Sequence, residues 1–141
     1  MSLYQGLIDI HHDFADGYHP CVDYGEWRVA TLRYLDELAV ENLDAMERHN
    51  QTDEVFVLLQ GRCILFLGDG DGQIEEIHPV DMHPQRVYNL KKGVYHTHTL
   101  SRDALVLIIE NRDTGSANSD RISLTEQDRK QLVTMTKRLW G

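Results

Sequence analysis

The segment that decides the fold is residues 47–61, which read Glu47-Arg48-His49-Asn50-Gln51-Thr52-Asp53-Glu54-Val55-Phe56-Val57-Leu58-Leu59-Gln60-Gly61. Residue types that bind metals are followed directly by an apolar run that ends in glycine. In a strand, residues two apart share a face, so Glu47 and His49 point to the same side, about 6.6 Å apart along the chain. After a polar turn, Glu54 opens a second strand that is apolar at every position of 55–59. Such a strand is expected to be buried on both faces, as in the wall of a sandwich or barrel.

A second group of ligand types lies about forty residues downstream. It reads Gly93-Val94-Tyr95-His96-Thr97-His98, again inside a segment with strand character. In a regular strand His98 shares a face with His96, and Tyr95 and Thr97 point to the opposite face. Two ligand-bearing strands separated by a hairpin predict a small β-barrel with a metal in its mouth.

The remaining chain supports an all-β fold with one terminal helix. Residues 1–25 are an irregular arm, residues 35–43 a short turn or edge segment, and residues 112–120 a loop. Strands are predicted at 26–34, 43–50, 54–60, 62–67, 73–77, 86–90, 93–100 and 104–111, and turns at this spacing are typical of a sandwich or barrel. A helix is predicted over about 124–140, where Ser123 and Glu126 have the form of a capping box and Leu132, Met135 and Leu139 share one stripe.

Length and charge limit the function classes. A chain of 141 residues is one domain, here a barrel over about 26–111 with its arm and helix. The net charge of −9 opposes nucleic-acid binding. No apolar run approaches a membrane span and the N-terminus lacks a secretory signal, so we expect a cytoplasmic protein that does not bind membranes, with Cys21 and Cys63 reduced. The three histidines of the arm, His11, His12 and His19, are expected in a solvent-facing loop.

These motifs resemble the cupin superfamily, a family of small β-barrels also described as jelly rolls or double-stranded β-helices. Its first motif is G-x5-H-x-H-x3-4-E-x6-G, and His49, Glu54 and Gly61 match its second histidine, its glutamate and its closing glycine. Glu47 replaces the first histidine. In the second motif, G-x5-P-x-G-x2-H-x3-N, Gly93 and His96 match. The other motif positions depart from the pattern, with Glu41 for the opening glycine of the first motif and Gln85, Lys91 and Leu100 for the glycine, proline and asparagine of the second.

The ligand set predicts a divalent transition metal. His49, Glu54 and His96 supply two imidazoles and one carboxylate, which suit such a metal with open positions for substrate. Glu47 is a fourth ligand or a base near the metal. Two carboxylates with two imidazoles favour manganese, iron, nickel or zinc without choosing between them.

The predicted function is that of a metal-dependent enzyme acting on a small polar metabolite, an organic acid or a sugar derivative. The metal acts as a Lewis acid, and Glu47 or His98 transfers a proton. Arg33, Arg86 and Tyr88 lie on predicted strands and are candidates for holding an anionic substrate. The resemblance implies a lyase or isomerase, with ureidoglycolate lyase a loose comparison, and a homodimer.

Two other interpretations stay open. The first is a non-haem iron oxygenase, since two histidines and one carboxylate are the ligand set of that class. If Glu47 binds the metal, the oxygenase interpretation is disfavoured, because the Glu47 carboxylate then occupies a position that dioxygen and substrate need. The second is a cupin without catalytic activity that binds a sugar or small acid.

Overall fold

The computed structural model describes residues 6–115 and 117–141, within which ten strands and one α-helix form. The strands are β1 (Gly17–Tyr24), β2 (Trp27–Arg33), β3 (Ala45–His49), β4 (Glu54–Gln60), β5 (Cys63–Asp69), β6 (Glu76–Asp81), β7 (Val87–Leu90), β8 (Tyr95–Leu100), β9 (Leu105–Asn111) and β10 (Ser119–Ser123), and the helix is α1 (Glu126–Trp140). Two short 3-10 turns, Asp36–Leu38 and Val40–Asn42, connect β2 to β3. Within the described residues, no helix is long and apolar enough to cross a membrane.

The strands form two antiparallel sheets that enclose the core. The first sheet has the order β1-β2-β9-β4-β7 and the second has the order β10-β3-β8-β5-β6. The main core cluster contains Ala30, Leu32 and Phe56 of the first sheet together with Leu65 and Leu100 of the second. This is the predicted jelly-roll barrel, and the fold prediction is confirmed.

Helix α1 packs against the outer face of the second sheet. Its fully buried Leu132 joins Met46, Ile64 and Phe66 in a second core cluster, as the apolar stripe predicted. The helix start differs from the prediction. Thr125 caps the helix, since its hydroxyl accepts a hydrogen bond from the Asp128 amide, 3.0 Å away. Ser123 is instead the last residue of β10, and this pairing excludes it from the cap.

Nothing in residues 6–115 and 117–141 covers the outer face of the first sheet, and the expectation that β4 is buried on both faces is wrong. Only its inward residues, such as Phe56 and Leu58, are buried, whereas Leu59 is 50% exposed. On neighbouring strands, Ile109 is 37% and Val87 71% exposed. An apolar run shows that both faces avoid charge, but it does not show whether a second layer covers the outer one.

The larger differences from the sequence prediction concern three edge strands. β1 lies in the segment predicted as an arm, β10 begins in the segment predicted as a loop, and β6 spans Glu76–Asp81 rather than 73–77. His19 is therefore part of β1, not of a loop. An edge strand has one unpaired side and tolerates proline and charge, so β1 accommodates Pro20 beside a register shift. These strands lack the alternation that identifies central strands.

Candidate metal centre

His49, Glu54 and His96 converge inside the barrel. His49 ends β3, Glu54 begins β4, and His96 lies on β8 of the same sheet as β3. Glu54 Oε1 lies 3.2 Å from His96 Nε2 and 3.6 Å from His49 Nε2. One ligand atom from each residue lies within 4.8 Å of the others, and Glu54 and His96 are buried. The three predicted ligands therefore form one group.

Local hydrogen bonds fix this convergence. The Gly93 amide donates to the His49 carbonyl at 2.8 Å, which joins the end of β3 to the approach to β8. Gly93 has a φ of 80°, a conformation that glycine adopts without strain. Asp53, in the turn before Glu54, accepts from the Lys92 amide at 2.8 Å. The polar turn and the glycine thus bring the two motifs together.

The partners of the two imidazoles define which ring nitrogen is free. His96 Nδ1 lies 3.1 Å from the Val94 carbonyl, which can only accept, so this nitrogen carries the proton. His49 Nδ1 lies 2.8 Å from Ser119 Oγ, and that hydroxyl can donate onward to Asn118 Oδ1 at 3.3 Å. In neutral imidazoles with the proton on Nδ1, both Nε2 atoms carry lone pairs, and both lie within 3.6 Å of Glu54 Oε1. Metal-binding histidines have this arrangement, with the second nitrogen held by another group.

The surroundings of the Glu54 carboxylate indicate whether these residues fit a metal. Its Oε1 is buried and its one close polar neighbour among the described residues besides His49 is His96 Nε2, at 3.2 Å. A buried carboxylate oxygen without a partner is unfavourable, whereas one that meets two imidazole lone pairs matches a divalent metal. Burial alone raises the pKa of Glu54, but the adjacent His96, and then His49, hold it below its usual value. The residues present therefore fit a transition metal.

His49, Glu54 and His96 line a cavity in the barrel, and Glu47 lies at the rim of that cavity, outside the group of three. It is opposite His96 in the β3–β8 register, but its side chain is 50% exposed and its carboxylate pairs with Arg121 at 3.3 Å. The strand alternation correctly places it on the face of His49. The ion pair, which joins β3 to β10, is not visible in the sequence.

His98 lines the same cavity beside His96, as the alternation of β8 predicted. Its Nδ1 is buried without a hydrogen-bond partner. Burial, and secondarily the nearby His96, lowers the pKa of His98 to about 4. The ring is therefore neutral near neutral pH.

Arg33, Arg86 and Tyr88 do not line this cavity. Arg33 ends β2 and its guanidinium donates to the Ala104 carbonyl at 3.4 Å. Arg86 is exposed before β7, and the Tyr88 hydroxyl accepts from the His83 amide at 2.8 Å. The sequence predicted strands for these residues, but it did not predict which end of each strand lies near His49, Glu54 and His96.

Three residues that the sequence did not point to also line this cavity, which has a volume of about 360 Å³. These are Tyr18, Arg28 and Glu110. The Tyr18 hydroxyl donates to Glu110 at 2.8 Å, and Arg28 pairs with Asp23. One signal for Glu110 was present: it continues the inward alternation of Val106 and Ile108 with a carboxylate, which is unusual at a core position.

Comparisons with known proteins agree on the fold. The sequence matches no family model and no curated protein. Among solved structures, a cupin-2 domain protein from Shewanella frigidimarina NCIMB 400 has a TM-score of 0.51 at 18% identity, covering 70% of this chain and 85% of its own. The TDP-fucose-3,4-ketoisomerase WlaRA from Campylobacter jejuni has a TM-score of 0.50 at 14% identity, covering 81% and 76%. The Fe(II) form of HppE has a TM-score of 0.50 at 16% identity, covering 67% and 48%.

The protein therefore has the cupin fold, and the resemblance seen in the motifs is confirmed at the level of the fold. Neighbours with this fold include HppE, whose structure is of its Fe(II) form, and the ketoisomerase WlaRA. Inside its barrel the chain carries a candidate metal site made of two histidines and one glutamate.

Proposed function

We propose that His49, Glu54 and His96 hold a divalent transition metal and that the protein is a metal-dependent enzyme for a small polar metabolite. The observation that carries this proposal is the buried Oε1 of Glu54, which lies 3.2 Å from His96 Nε2 and 3.6 Å from His49 Nε2 while both imidazoles are held through Nδ1. Manganese, iron, nickel and zinc all suit the donor set. The structural likeness to Fe(II) HppE supports the choice of a transition metal.

When bound, the metal supplies a Lewis acid for a carbonyl or hydroxyl oxygen. Residues of the chain supply the cavity lining and the polar groups around the substrate. Leu32, Leu38 and Ile108 form the apolar part of the cavity lining. His98 is neutral and its Nδ1, which has no partner among the described residues, can hydrogen-bond to a ligand, and Glu47 at the rim can exchange a proton with solvent. These roles match a lyase or isomerase, and the ketoisomerase WlaRA is an example of an isomerase with a similar fold.

A second candidate is a non-haem iron oxygenase. The position of Glu47 favours it, because a carboxylate paired with Arg121 outside the group of three leaves open the positions that dioxygen and substrate need. Oxygen consumption by the ferrous protein in the presence of candidate substrates tests this alternative. If the ferrous protein consumes oxygen no faster than free ferrous ion does, the oxygenase interpretation is excluded.

Metal analysis of protein purified without a histidine tag tests the main proposal. We expect about one divalent metal per chain from cultures supplied with manganese, iron, nickel or zinc. Absence of any stoichiometric metal under all four supplies contradicts the proposal. The Glu47→Gln variant then distinguishes an enzyme from a protein that only binds its ligand. If the variant loses turnover of a screened substrate but keeps its affinity for that substrate, the binding-only interpretation is excluded.

We also propose that the protein is a homodimer formed through the outer face of the first sheet. Leu59, Val87, Trp27 and Ile109 give this face exposed apolar side chains on four adjacent strands. Large apolar patches of this kind mark interaction sites. Light scattering should report a dimer for the native protein and a monomer for Leu59→Arg. A native protein that is monomeric at high concentration contradicts the proposal.

A further inference from the structure

The segment that precedes β1, residues 6–16, exposes large apolar side chains. Its residues 8–16 form neither helix nor strand. Leu7 is 85%, Ile8 57% and Ile10 64% exposed, so three of the four residues at 7–10 present an aliphatic side chain to water. Single exposed apolar residues are common on protein surfaces, but a group of this density marks a surface that contacts another one.

The sequence of this N-terminal segment is that of a half-buried strand. Ile8 and Ile10 alternate with Asp9 and His11. In an extended chain the two isoleucines therefore point to one side and the two polar residues to the other. A segment with this pattern is stabilised when its apolar side lies on an apolar surface and its polar side faces water. The segment therefore needs an uncharged surface to lie on.

The outer face of the first sheet is such a surface. Two neighbouring rows of directly paired residues cross it, and they are Val22-Val29-Ile109-Val55 and His19-Thr31-Leu107-Val57-Val87. Neither row contains an acidic residue, a lysine or an arginine, although 26% of the chain is charged. An uncharged face that spans a whole sheet is typical of an interface rather than of a solvated surface.

The N-terminal segment leaves the chain at the border of this face. It runs directly into β1, which is an edge strand of the same sheet. Its eleven residues span up to about 36 Å when extended, whereas five strands are about 19 Å wide from first to last. When two copies meet through this face, the segment of each copy is therefore long enough to cross the face of the other.

Charge favours the same placement. The N-terminal segment carries Asp9 and Asp13 on its polar side. The far edge of the face is β7, and the exposed residues that flank it are basic, with Arg86 before the strand and Lys91 and Lys92 after it. Opposite charges at the rim of an interface orient the two partners. The acidic segment is thereby directed across the face towards β7.

We propose that each copy in a dimer lays its N-terminal segment across the outer face of the first sheet of its partner, with Ile8 and Ile10 packed on β4 and β7. The exchange is reciprocal, so two segments cover two faces and the assembly closes as a dimer. The inference rests on the proposed dimer and not on the proposed metal centre. It adds the element that holds the two copies together.

A double variant of the apolar side of the segment gives the first test. Ile8→Ser/Ile10→Ser should raise the dissociation constant of the dimer at least about a hundredfold, because four aliphatic side chains per dimer lose their buried contacts. The matched control is Asp9→Asn/His11→Ser on the polar side, which should change it no more than about threefold, since rim charges contribute little. Both isoleucines are exposed within one chain, so the fold tolerates the change. Sedimentation velocity over a concentration series measures all three proteins.

A cross-link gives the second test. In a Cys21→Ser background, where Cys63 is buried and unreactive, Ile10→Cys is combined with Val87→Cys and treated with a short bis-maleimide. We expect a covalent dimer on a denaturing gel. The control pair, Ile10→Cys with Glu75→Cys, places the second thiol at an exposed position outside the face and should give none.

The outcomes separate this inference from the proposed dimer. A native dimer that Ile8→Ser/Ile10→Ser leaves intact, but that Leu59→Arg dissociates, overturns the exchange of segments and leaves the face as the interface. A dimer that is lost in Ile8→Ser/Ile10→Ser and kept in Leu59→Arg shows that the segment lies on another surface, and also overturns it. A cross-link within one chain overturns the exchange, because the segment then covers its own sheet. A monomeric native protein refutes the dimer and the exchange together.

Discussion

Two groups of histidine and carboxylate side chains on this barrel have the same spacing and different surroundings. His49, Glu54 and His96 lie inside, whereas Asp69, Glu76 and His78 lie on the surface across β5 and β6. In each group, one ligand atom per residue lies within 4.8 Å of the others. By distance alone the two are equivalent candidates for a metal.

Their surroundings separate them. In the inner group the side chains of Glu54 and His96 are 8% and 7% exposed, and both imidazoles are held through Nδ1. In the surface group His78 is 50%, Glu76 68% and Asp69 73% exposed, with contacts of 3.7 and 3.8 Å. Exposed side chains lose conformational entropy on convergence, and water screens their charges. Burial and support of the ligands, rather than proximity, mark a metal site.

The largest expected effect comes from removing an inner ligand. His96→Ala should weaken metal affinity by at least about a hundredfold, because it removes one of three ligands and leaves Glu54 buried beside a gap. The matched control is His78→Ala, which should bind metal as the native protein does. Competition with a chelating dye, combined with elemental analysis, measures both. Loss of metal in His78→Ala with retention in His96→Ala would reverse the assignment of the two groups.

Metal removal should lower stability only when the inner group is intact. A ligand present at a hundred times its Kd stabilises the folded state by about 2.7 kcal/mol, so chelation of the native protein should lower its Tm by several degrees. His78→Ala should show the same decrease and His96→Ala almost none. Thermal unfolding with and without chelator makes the measurement. An equal response of all three proteins would assign the effect to something other than the inner group.

A smaller effect on metal affinity is expected from removing a side chain that orients a proposed ligand. Ser119→Ala removes the partner of His49 Nδ1 without touching a ligand, and should weaken metal affinity about tenfold. Ser123→Ala, an exposed position on the same strand, is the control and should be neutral. The same dye competition applies. Unchanged affinity in Ser119→Ala would mean that burial alone orients His49.

The smallest effect is expected in the surface group. Glu76→Gln should change the free energy of unfolding by less than about 0.5 kcal/mol, because exposed ion pairs contribute little. Metal content should stay at the native value. Chemical denaturation measures the stability change. A loss above about 1 kcal/mol would show that the surface group is more strongly coupled than its exposure indicates.

The two outer faces of the barrel show how far sequence reasoning reaches. β4 and β5 are both continuous apolar runs, and the sequence predicts burial on both faces for β4. β5 has this burial, since Ile64 and Phe66 lie beneath α1, whereas β4 does not, since Leu59 is exposed. Composition cannot state which face the helix will cover, because the helix contacts residues distant in sequence.

The sequence by itself determined the barrel, its central strands, the terminal helix and the candidate ligands His49, Glu54 and His96, since alternation and turn residues act over a few positions. The tertiary structure alone decided the edge strands, the pairing of Glu47 with Arg121, and the position of Tyr18, Arg28 and Glu110 in the cavity lining. Those features depend on which strand ends meet across the cavity. That geometry is set by pairing between segments as far apart as Tyr18 and Glu110, which no local pattern encodes.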